Sequence, residues 1–219
     1  MVAIDNTHDM PARRGIDYSG HTGWLVLFAL LGSVLLATAT QAFYADIAGG
    51  WTMAAQMVTR FALLLFVAAM SVEALARLVP IRSMATLGRE RAGLVLAFAV
   101  SFAVSLLCVA TGAYRGGDAL SAPALAYCVL TGLILAVMLV SAHPATAALM
   151  GGPAARALQR IATAYFWLVL VITGLDHIVG PHRPDAWYGF SLLLLTATLL
   201  LRFADTFVAH WRGLAGKAG

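Results

Sequence analysis

Charged side chains are scarce in this chain of 219 residues. Asp, Glu, Lys and Arg together make up 11% of it, whereas 61% of the residues are hydrophobic. Soluble domains are about 45–50% apolar and about 25% charged. A soluble core of this size cannot hide so much apolar surface. The composition therefore excludes an ordinary soluble domain and predicts an integral membrane protein whose solvent is the lipid bilayer.

Cysteine and lysine are also rare. The two cysteines, Cys108 and Cys128, lie inside apolar runs, which excludes a disulfide framework and the usual spacing of a metal-binding cysteine cluster. Lys217 is the one lysine. The arginines occur singly or in pairs between apolar runs, as membrane topology requires, and do not form one basic stripe. We therefore predict no nucleic-acid partner. The N-terminal residues lack an apolar core, so we expect no cleavable signal peptide.

Six long apolar stretches are separated by short segments that carry glycine and proline. A membrane β-barrel would need alternating apolar and polar residues instead of solid apolar blocks. We predict an all-α, six-transmembrane-helix bundle over residues 22–211, between polar tails at residues 1–21 and 212–219. The predicted spans are Thr22–Tyr44, Thr52–Val79, Arg91–Tyr114, Ala122–Ala142, Ala154–Val179 and Ala186–Trp211.

Basic residues gather at alternate ends of these spans, and cytoplasmic loops carry the excess of Lys and Arg. The opposite loops hold only Arg115 and Arg183. We therefore predict that both termini are cytoplasmic and that the chain is a multi-pass protein of a bacterial-type inner (plasma) membrane. The basic residues assigned to the cytoplasmic side are Arg13, Arg14, Arg82, Arg89, Arg91, Arg156, Arg212 and Lys217.

Several charged residues fall inside the spans at a similar predicted depth. Glu73 lies about six residues, or roughly 9 Å, from the cytoplasmic end of the second span. Charges in lipid are costly unless they pair, snorkel or face water. We predict an inter-helix cluster of Glu73, Arg77, Arg160, Arg202 and Asp205. The cluster is either a structural clasp or a site for an anionic headgroup, a quinone or a proton step.

Arg60 lies apart from this cluster, in the other half of the second span. Two interpretations stay open for it. By depth, its nearest candidate partner is Asp176, near the end of the fifth span. Alternatively, the arginine side chain snorkels to the membrane surface without a partner.

Short motifs in four of the spans resemble those of the ferric-reductase-like transmembrane domain. This superfamily includes NADPH oxidases and the haem-binding membrane subunit of the bacterial methionine sulfoxide reductase system. The resemblance extends from Val58 to Ile178. The segments that carry it are Val58–Arg77, Arg89-Glu90-Arg91-Ala92-Gly93-Leu94 with Ala97-Phe98, Leu130–Ser141, and Arg156-Ala157-Leu158-Gln159-Arg160-Ile161.

The resemblance implies transmembrane electron transfer through b-type haem, held by histidines of the third and fifth spans. This sequence has no histidine between His21 and His143, and Gln159 stands where the family's fifth-span histidine is typical. Phe102 lies in the region expected for a third-span ligand. The histidines left as candidate cofactor ligands are His143, His210 and His177, whose alternative role is hydrogen bonding at the membrane interface.

A polar segment near the end of the fifth span offers two carboxylates and two imidazoles within ten residues. Such groups suit a divalent metal ion, but the absence of a tight ligand spacing such as HxxxH on a helix favours a plain polar loop. The candidate metal ligands are His177, His182, Asp176 and Asp185.

Three functions remain open, and no residue is assigned a catalytic role. The first is a membrane subunit or accessory protein of a larger assembly, with other membrane subunits as partners and without the usual haem ligands. The second is a membrane oxidoreductase that binds haem or quinone through other ligands. The third is a small transporter or lipid-binding protein that uses the predicted charged cluster.

Overall fold

The computed structural model describes residues 20–44, 47–79, 90–117, 120–142, 144–179 and 185–215. Within these ranges the chain is helical, and six of its helices are long and apolar enough to cross a membrane. The predicted all-α, six-helix architecture is confirmed. The helices are α1 (Gly20–Phe43), α2 (Ile47–Leu78), α3 (Arg91–Gly116), α4 (Ala122–Ala142), α5 (Pro144–Met150), α6 (Gly152–Val179) and α7 (Ala186–Ala215).

The predicted glycine breakers act at two helix boundaries. Gly117 follows the last residue of α3 in the left-handed conformation, with φ of 71°. Gly151 has φ of 79° and separates α5 from α6. Only glycine adopts such angles without a steric penalty from Cβ, so these positions end one helix and redirect the chain.

The side-chain contacts between the first three spans show their relative directions. Ser33 donates to Ser101 at 2.9 Å, and Thr22 donates to Glu90 at 3.2 Å, so α1 runs parallel to α3. The hydroxyls of Thr59 and Ser105 are 2.6 Å apart, with Glu73 bonded to Arg91 further along. Helix α2 is therefore antiparallel to α3, and these two helices form the most extensive interface.

Four phenylalanines from three helices fill the centre of the bundle. Phe98 lies against Phe66 and Phe166, with ring centroids 5.0 and 5.1 Å apart. Phe102 contacts Phe166 at 5.3 Å and in the edge-to-face arrangement that aromatic pairs favour. This aromatic core joins α2, α3 and α6 and separates the two ends of the bundle.

Large apolar side chains cover the outside of the bundle. Phe28 is 71% exposed, Leu133 61% and Leu193 65%. Contiguous apolar surface of this kind is rare on soluble monomers, and lipid tails are its natural solvent. The helices therefore contact the bilayer directly.

Two names identify the ends of the bundle below. The arginine end holds the C-terminal part of α2 and the first residues of α3 and α6. The Asp185 end holds the last residues of α3 and α6 and the start of α7.

Candidate functional site

A pocket of about 460 Å³ lies at the arginine end, between α2, α3, α6 and α7. We call it the arginine pocket. Four arginines and one carboxylate line it, and the remaining lining residues are mostly apolar. Its residues are Met70, Glu73, Arg91, Arg156, Gln159, Arg160, Thr163, Ala164, Trp167, Leu199 and Arg202.

Glu73 is the one carboxylate among the lining residues of the pocket, and it forms ion pairs with two arginines. Its Oε2 lies 2.6 Å from Arg91 Nη1, and its Oε1 pairs with Arg77. Arg77 in turn donates from Nη1 to Asp205 Oδ2 at 3.1 Å. Three consecutive ion pairs, Arg91–Glu73, Glu73–Arg77 and Arg77–Asp205, therefore link α3, α2 and α7 at the same depth. The predicted cluster is therefore partly a clasp between neighbouring helices.

The remaining arginines of the pocket form no ion pair with a described residue. Across the described ranges, no carboxylate lies within 4 Å of Arg160 or Arg202. Arg202 interacts electrostatically with the like charges of Arg91 and Arg160 and, beyond ion-pair distance, with the carboxylates of Glu73 and Asp205. Arg156 donates from Nε to the Gly152 carbonyl at 3.1 Å, which leaves its charge uncompensated.

The structure thus divides the predicted cluster. Glu73, Arg77 and Asp205 contact one another, whereas Arg160 and Arg202 line the pocket beside them without an ion pair. Sequence reasoning assigned Arg91 and Arg156 to membrane topology alone. The signal that was missed is their place at the first turns of α3 and α6, at the same depth as Glu73.

Helix α6 presents a regular polar stripe to the arginine pocket. Arg156, Arg160, Thr163 and Trp167 follow one another at intervals of three or four residues, which places them on one helical face. Trp167 Nε1 donates to the Leu195 carbonyl of α7 at 3.3 Å, which fixes the indole as one wall of the pocket.

Arg60, at the opposite side of the aromatic core, pairs with Asp185 and not with Asp176. The predicted partner is wrong because depth alone was compared. Helix α7 packs directly on α2 and brings Asp185, the residue before its first turn, against Arg60. The Arg60 guanidinium also lies 5.5 Å from the Trp187 ring centroid and 5.8 Å from that of Tyr188, within cation–π range.

Asp185 has a second role at the start of α7. Its Oδ1 accepts the backbone N–H of Trp187 at 2.9 Å, the contact that an N-capping carboxylate makes. This hydrogen bond, followed by the positive charge of Arg60, holds the pKa of Asp185 below its ordinary value. The carboxylate is therefore ionised at neutral pH and neutralises Arg60.

A second cavity, of about 490 Å³, opens beside Arg60, and we call it the Arg60 cavity. It lies between α2, α3, α6 and α7, with Tyr127 of α4 at its edge. Its polar lining residues are Thr52, Gln56, Thr59 and Arg60 from α2, Ser105 from α3, Thr173 and His177 from α6, and Tyr188 and Ser191 from α7. Its apolar walls include Leu63, Phe102, Leu106, Val109 and Leu170.

Among the candidate ligands, His177 lies in the described part of the chain. Its Nδ1 is 2.9 Å from the Thr173 carbonyl, and its ring stacks on Tyr188 with centroids 4.0 Å apart. His143, His182 and the side chain of His210 lie outside the described residues. Within those residues, no three His, Cys, Asp or Glu side chains converge as a metal site would require. Asp176 is exposed and Asp185 is engaged with Arg60.

The centre of the bundle does not fit a haem. The resemblance implies a porphyrin between the third and fifth spans, which are α3 and α6. Phe98 and Phe102 of α3 instead contact Phe166 of α6, with centroids 5.1 and 5.3 Å apart. Direct packing of the two helices fills the space that a porphyrin needs, and no imidazole projects there from the described residues of either helix.

No family model, curated protein or solved structure matches this chain. The class of protein is therefore described from its helices and its two cavities alone. The chain is an integral membrane protein with six long apolar helices, an arginine pocket at one end and a largely apolar cavity near the other.

Proposed function

We propose that this protein binds a phosphate-type anion in the arginine pocket and that the anion is the headgroup of an acidic phospholipid. The observation that carries the proposal is the imbalance of charge in the pocket, where four arginines face one glutamate. Of the three functions left open by the sequence, lipid binding through the charged cluster is the one that this geometry favours.

The physical reason lies in the cost of unpaired charge near hydrocarbon. Arg202 is half-buried within a membrane-spanning helix, and Arg160 lies beside it without a carboxylate partner. An arginine at this depth needs an anion, water or a route to the surface. Guanidinium groups bind phosphate through paired, charge-assisted hydrogen bonds, and basic pockets between membrane helices favour acidic headgroups.

The apolar part of the pocket favours a lipid over a free phosphate ester. Met70, Leu199 and the Trp167 ring stand beside the arginines and offer contact surface to an acyl chain. A water-soluble phosphate ester would bind the guanidinium groups but make no contact with these apolar side chains. We therefore expect a phospholipid to bind more tightly than a free phosphate ester.

Thermal unfolding in a neutral detergent tests the proposal. Phosphatidylglycerol is added to the purified full chain and compared with phosphatidylcholine and with glycerol phosphate. A ligand that binds only the folded state stabilises it by about 2.7 kcal/mol at one hundred times its Kd. We expect phosphatidylglycerol to raise the Tm by several degrees, and the other two compounds to have much smaller effects.

Matched variants decide whether the pocket causes this shift. Arg160→Gln and Arg202→Gln each remove one unpaired guanidinium from the pocket, and we expect each to reduce the shift by half or more. Arg115→Gln removes an exposed arginine at the last turn of α3, away from the pocket, and serves as the control. Equal shifts in all four proteins would contradict the proposal, and an equal response to glycerol phosphate would assign the site to free phosphate esters.

The remaining predictions from the sequence concern assembly and electron transfer. Haem-dependent electron transfer is not part of this proposal, because the aromatic core fills the position that the ferric-reductase-like resemblance implies. Membership of a larger membrane assembly remains a prediction. A headgroup site is compatible with it, since a bound lipid can lie between this chain and a neighbouring subunit.

A further inference from the structure

The Arg60 cavity lies on the other side of the aromatic core from the arginine pocket and plays no part in the proposed headgroup binding. Its volume of about 490 Å³ falls within the range of small-molecule sites, about 300–1,000 Å³. Such sites are mostly apolar with a few polar groups that fix the orientation of the ligand. The lining of this cavity has that composition.

Two polar groups of the cavity lack partners. Arg60 Nε is buried and has no hydrogen-bond acceptor within the described structure. The amide of Gln56, one helical turn earlier on the same face of α2, also makes no hydrogen bond with any described residue. Leaving the buried Arg60 Nε without a partner costs about 1–3 kcal/mol. The Gln56 amide is half-buried and offers N–H donors to the cavity.

The charge of the site is already balanced. Asp185 neutralises Arg60, and the indole of Trp187 lies against the guanidinium. An anion entering the cavity would have to compete with Asp185 for the arginine. An uncharged acceptor bonds to the Gln56 amide without disturbing this pair.

The two hydroxyls beside Gln56 and Arg60 are already engaged in hydrogen bonds. Ser105 donates to the Ala55 carbonyl at 3.1 Å, so the 2.6 Å contact between Thr59 and Ser105 uses the proton of Thr59. The Gln56 amide supplies a donor at this head, and the apolar walls extend from it to Phe102 and Leu170 beside the aromatic core.

We propose that the Arg60 cavity binds an uncharged, lipid-soluble molecule with a carbonyl oxygen at its polar head. The carbonyl accepts a hydrogen bond from the Gln56 amide, beside the Arg60 guanidinium. The apolar part of the molecule lies against Leu63, Phe102 and Leu170. Both a quinone and a neutral acylglycerol have this chemistry.

Photolabelling with a benzophenone that carries an alkyl chain tests this proposal, because the probe is itself an uncharged ketone. The full chain in neutral detergent is irradiated with the probe, digested and mapped by mass spectrometry. We expect labels on the peptides that contain residues 52–63 and 102–113, and a saturable dependence on probe concentration. Label spread over the lipid-facing surfaces of α1 and α4, with none enriched in these peptides, would overturn the proposal.

Two glutamine variants make the test specific. Gln56→Leu removes a donor from the cavity at nearly constant volume, and we expect at least a fivefold loss of saturable labelling. Gln159→Leu makes the same change in the arginine pocket and should leave labelling unchanged. Unaltered labelling of Gln56→Leu, with both variants unfolding at the wild-type temperature, would show that the cavity does not bind the carbonyl head.

Competition identifies the source of the carbonyl. A short-chain quinone that displaces the probe, where a monoacylglycerol does not, assigns the site to quinones, and the reverse result assigns it to neutral lipids. Displacement by phosphatidylglycerol alone would contradict the inference, because it would make this cavity another acidic-headgroup site. The test is independent of the headgroup proposal, since the arginine pocket is intact in Gln56→Leu.

Discussion

At the scale of single residues, Glu73 controls the charge of the arginine pocket. It neutralises Arg91 on one side and Arg77 on the other, and it competes with any bound anion for the first of these. Its carboxyl is about one-third exposed, so each ion pair contributes modestly, about 1 kcal/mol or less. The same residue therefore stabilises the helix contacts and weakens anion binding.

Glu73→Gln separates these two effects. We expect this variant to lower the free energy of unfolding by about 1–2 kcal/mol, because Arg77 and Arg91 lose a shared partner. We also expect phosphatidylglycerol to bind several-fold more tightly, since the pocket then contains four arginines and no carboxylate. Lipid titration in detergent measures the affinity. A weaker affinity in this variant would show that Glu73 is part of the binding site and not a competitor.

Asp185 gives a prediction about pH. Its folded-state pKa is lowered, so its stabilising contribution is complete above the unfolded-state pKa of about 4 and is lost as pH falls through the folded value. We expect the difference in Tm between wild type and Asp185→Asn to be constant from pH 7 to about 5 and to shrink below pH 4. A difference that grows on acidification would contradict the assigned ion pair with Arg60.

The depth of a residue in the membrane could be predicted from the sequence, whereas the neighbouring helix that its side chain faces could not. Counting along the spans placed Glu73, Arg77 and Asp205 at one level, and the structure joins them. The same counting chose Asp176 for Arg60, because rotation about the helix axes was not known. Partner choice depends on which helices touch, and six apolar stretches with interchangeable lipid-facing residues leave that order open.

At the scale of elements, α6 contributes residues to the arginine pocket, to the aromatic core and to the Arg60 cavity. Its first half carries the polar stripe of the arginine pocket, and Phe166 follows in the aromatic core. The sequence predicted this helix and the other long spans because about 20 apolar residues specify a membrane helix. It did not predict α5, a helix of seven residues, which is too short to show a periodic pattern.

Phe166→Ala tests the aromatic core as the element that joins α3 and α6. Phe166 is fully buried and contacts both Phe98 and Phe102. Its removal leaves a cavity, and we expect a loss of about 3 kcal/mol in the free energy of unfolding. Phe203→Ala, on the lipid-facing side of α7, is the control and should change stability by less than about 1 kcal/mol. Equal effects would contradict the packing described.

At the scale of the whole molecule, the distribution of arginines predicts the orientation in the membrane. Six crossings predict that both termini lie on one side, and the excess of basic residues predicts that this side is the cytoplasm. In this predicted orientation the arginine pocket faces the cytoplasmic leaflet, where acidic lipids attract basic clusters. The Arg60 cavity is then predicted to lie towards the opposite leaflet.

Cysteine labelling measures this orientation. A cysteine placed at Arg115, which is exposed in the last turn of α3, should react with a membrane-impermeant maleimide in intact cells. A cysteine at Arg156, exposed in the first half of α6, should react only after the membrane is permeabilised. The wild-type chain, with Cys108 buried and Cys128 half-buried, gives the background. The reverse pattern of labelling would invert the orientation.

Native mass spectrometry of the protein released from membranes tests the central proposal most directly, because it counts bound lipids. We predict that the wild type and Arg115→Gln retain an acidic phospholipid and that the double variant Arg160→Gln/Arg202→Gln loses it. Retention of the same lipid, at the same occupancy, by a folded double variant would contradict headgroup binding in the arginine pocket.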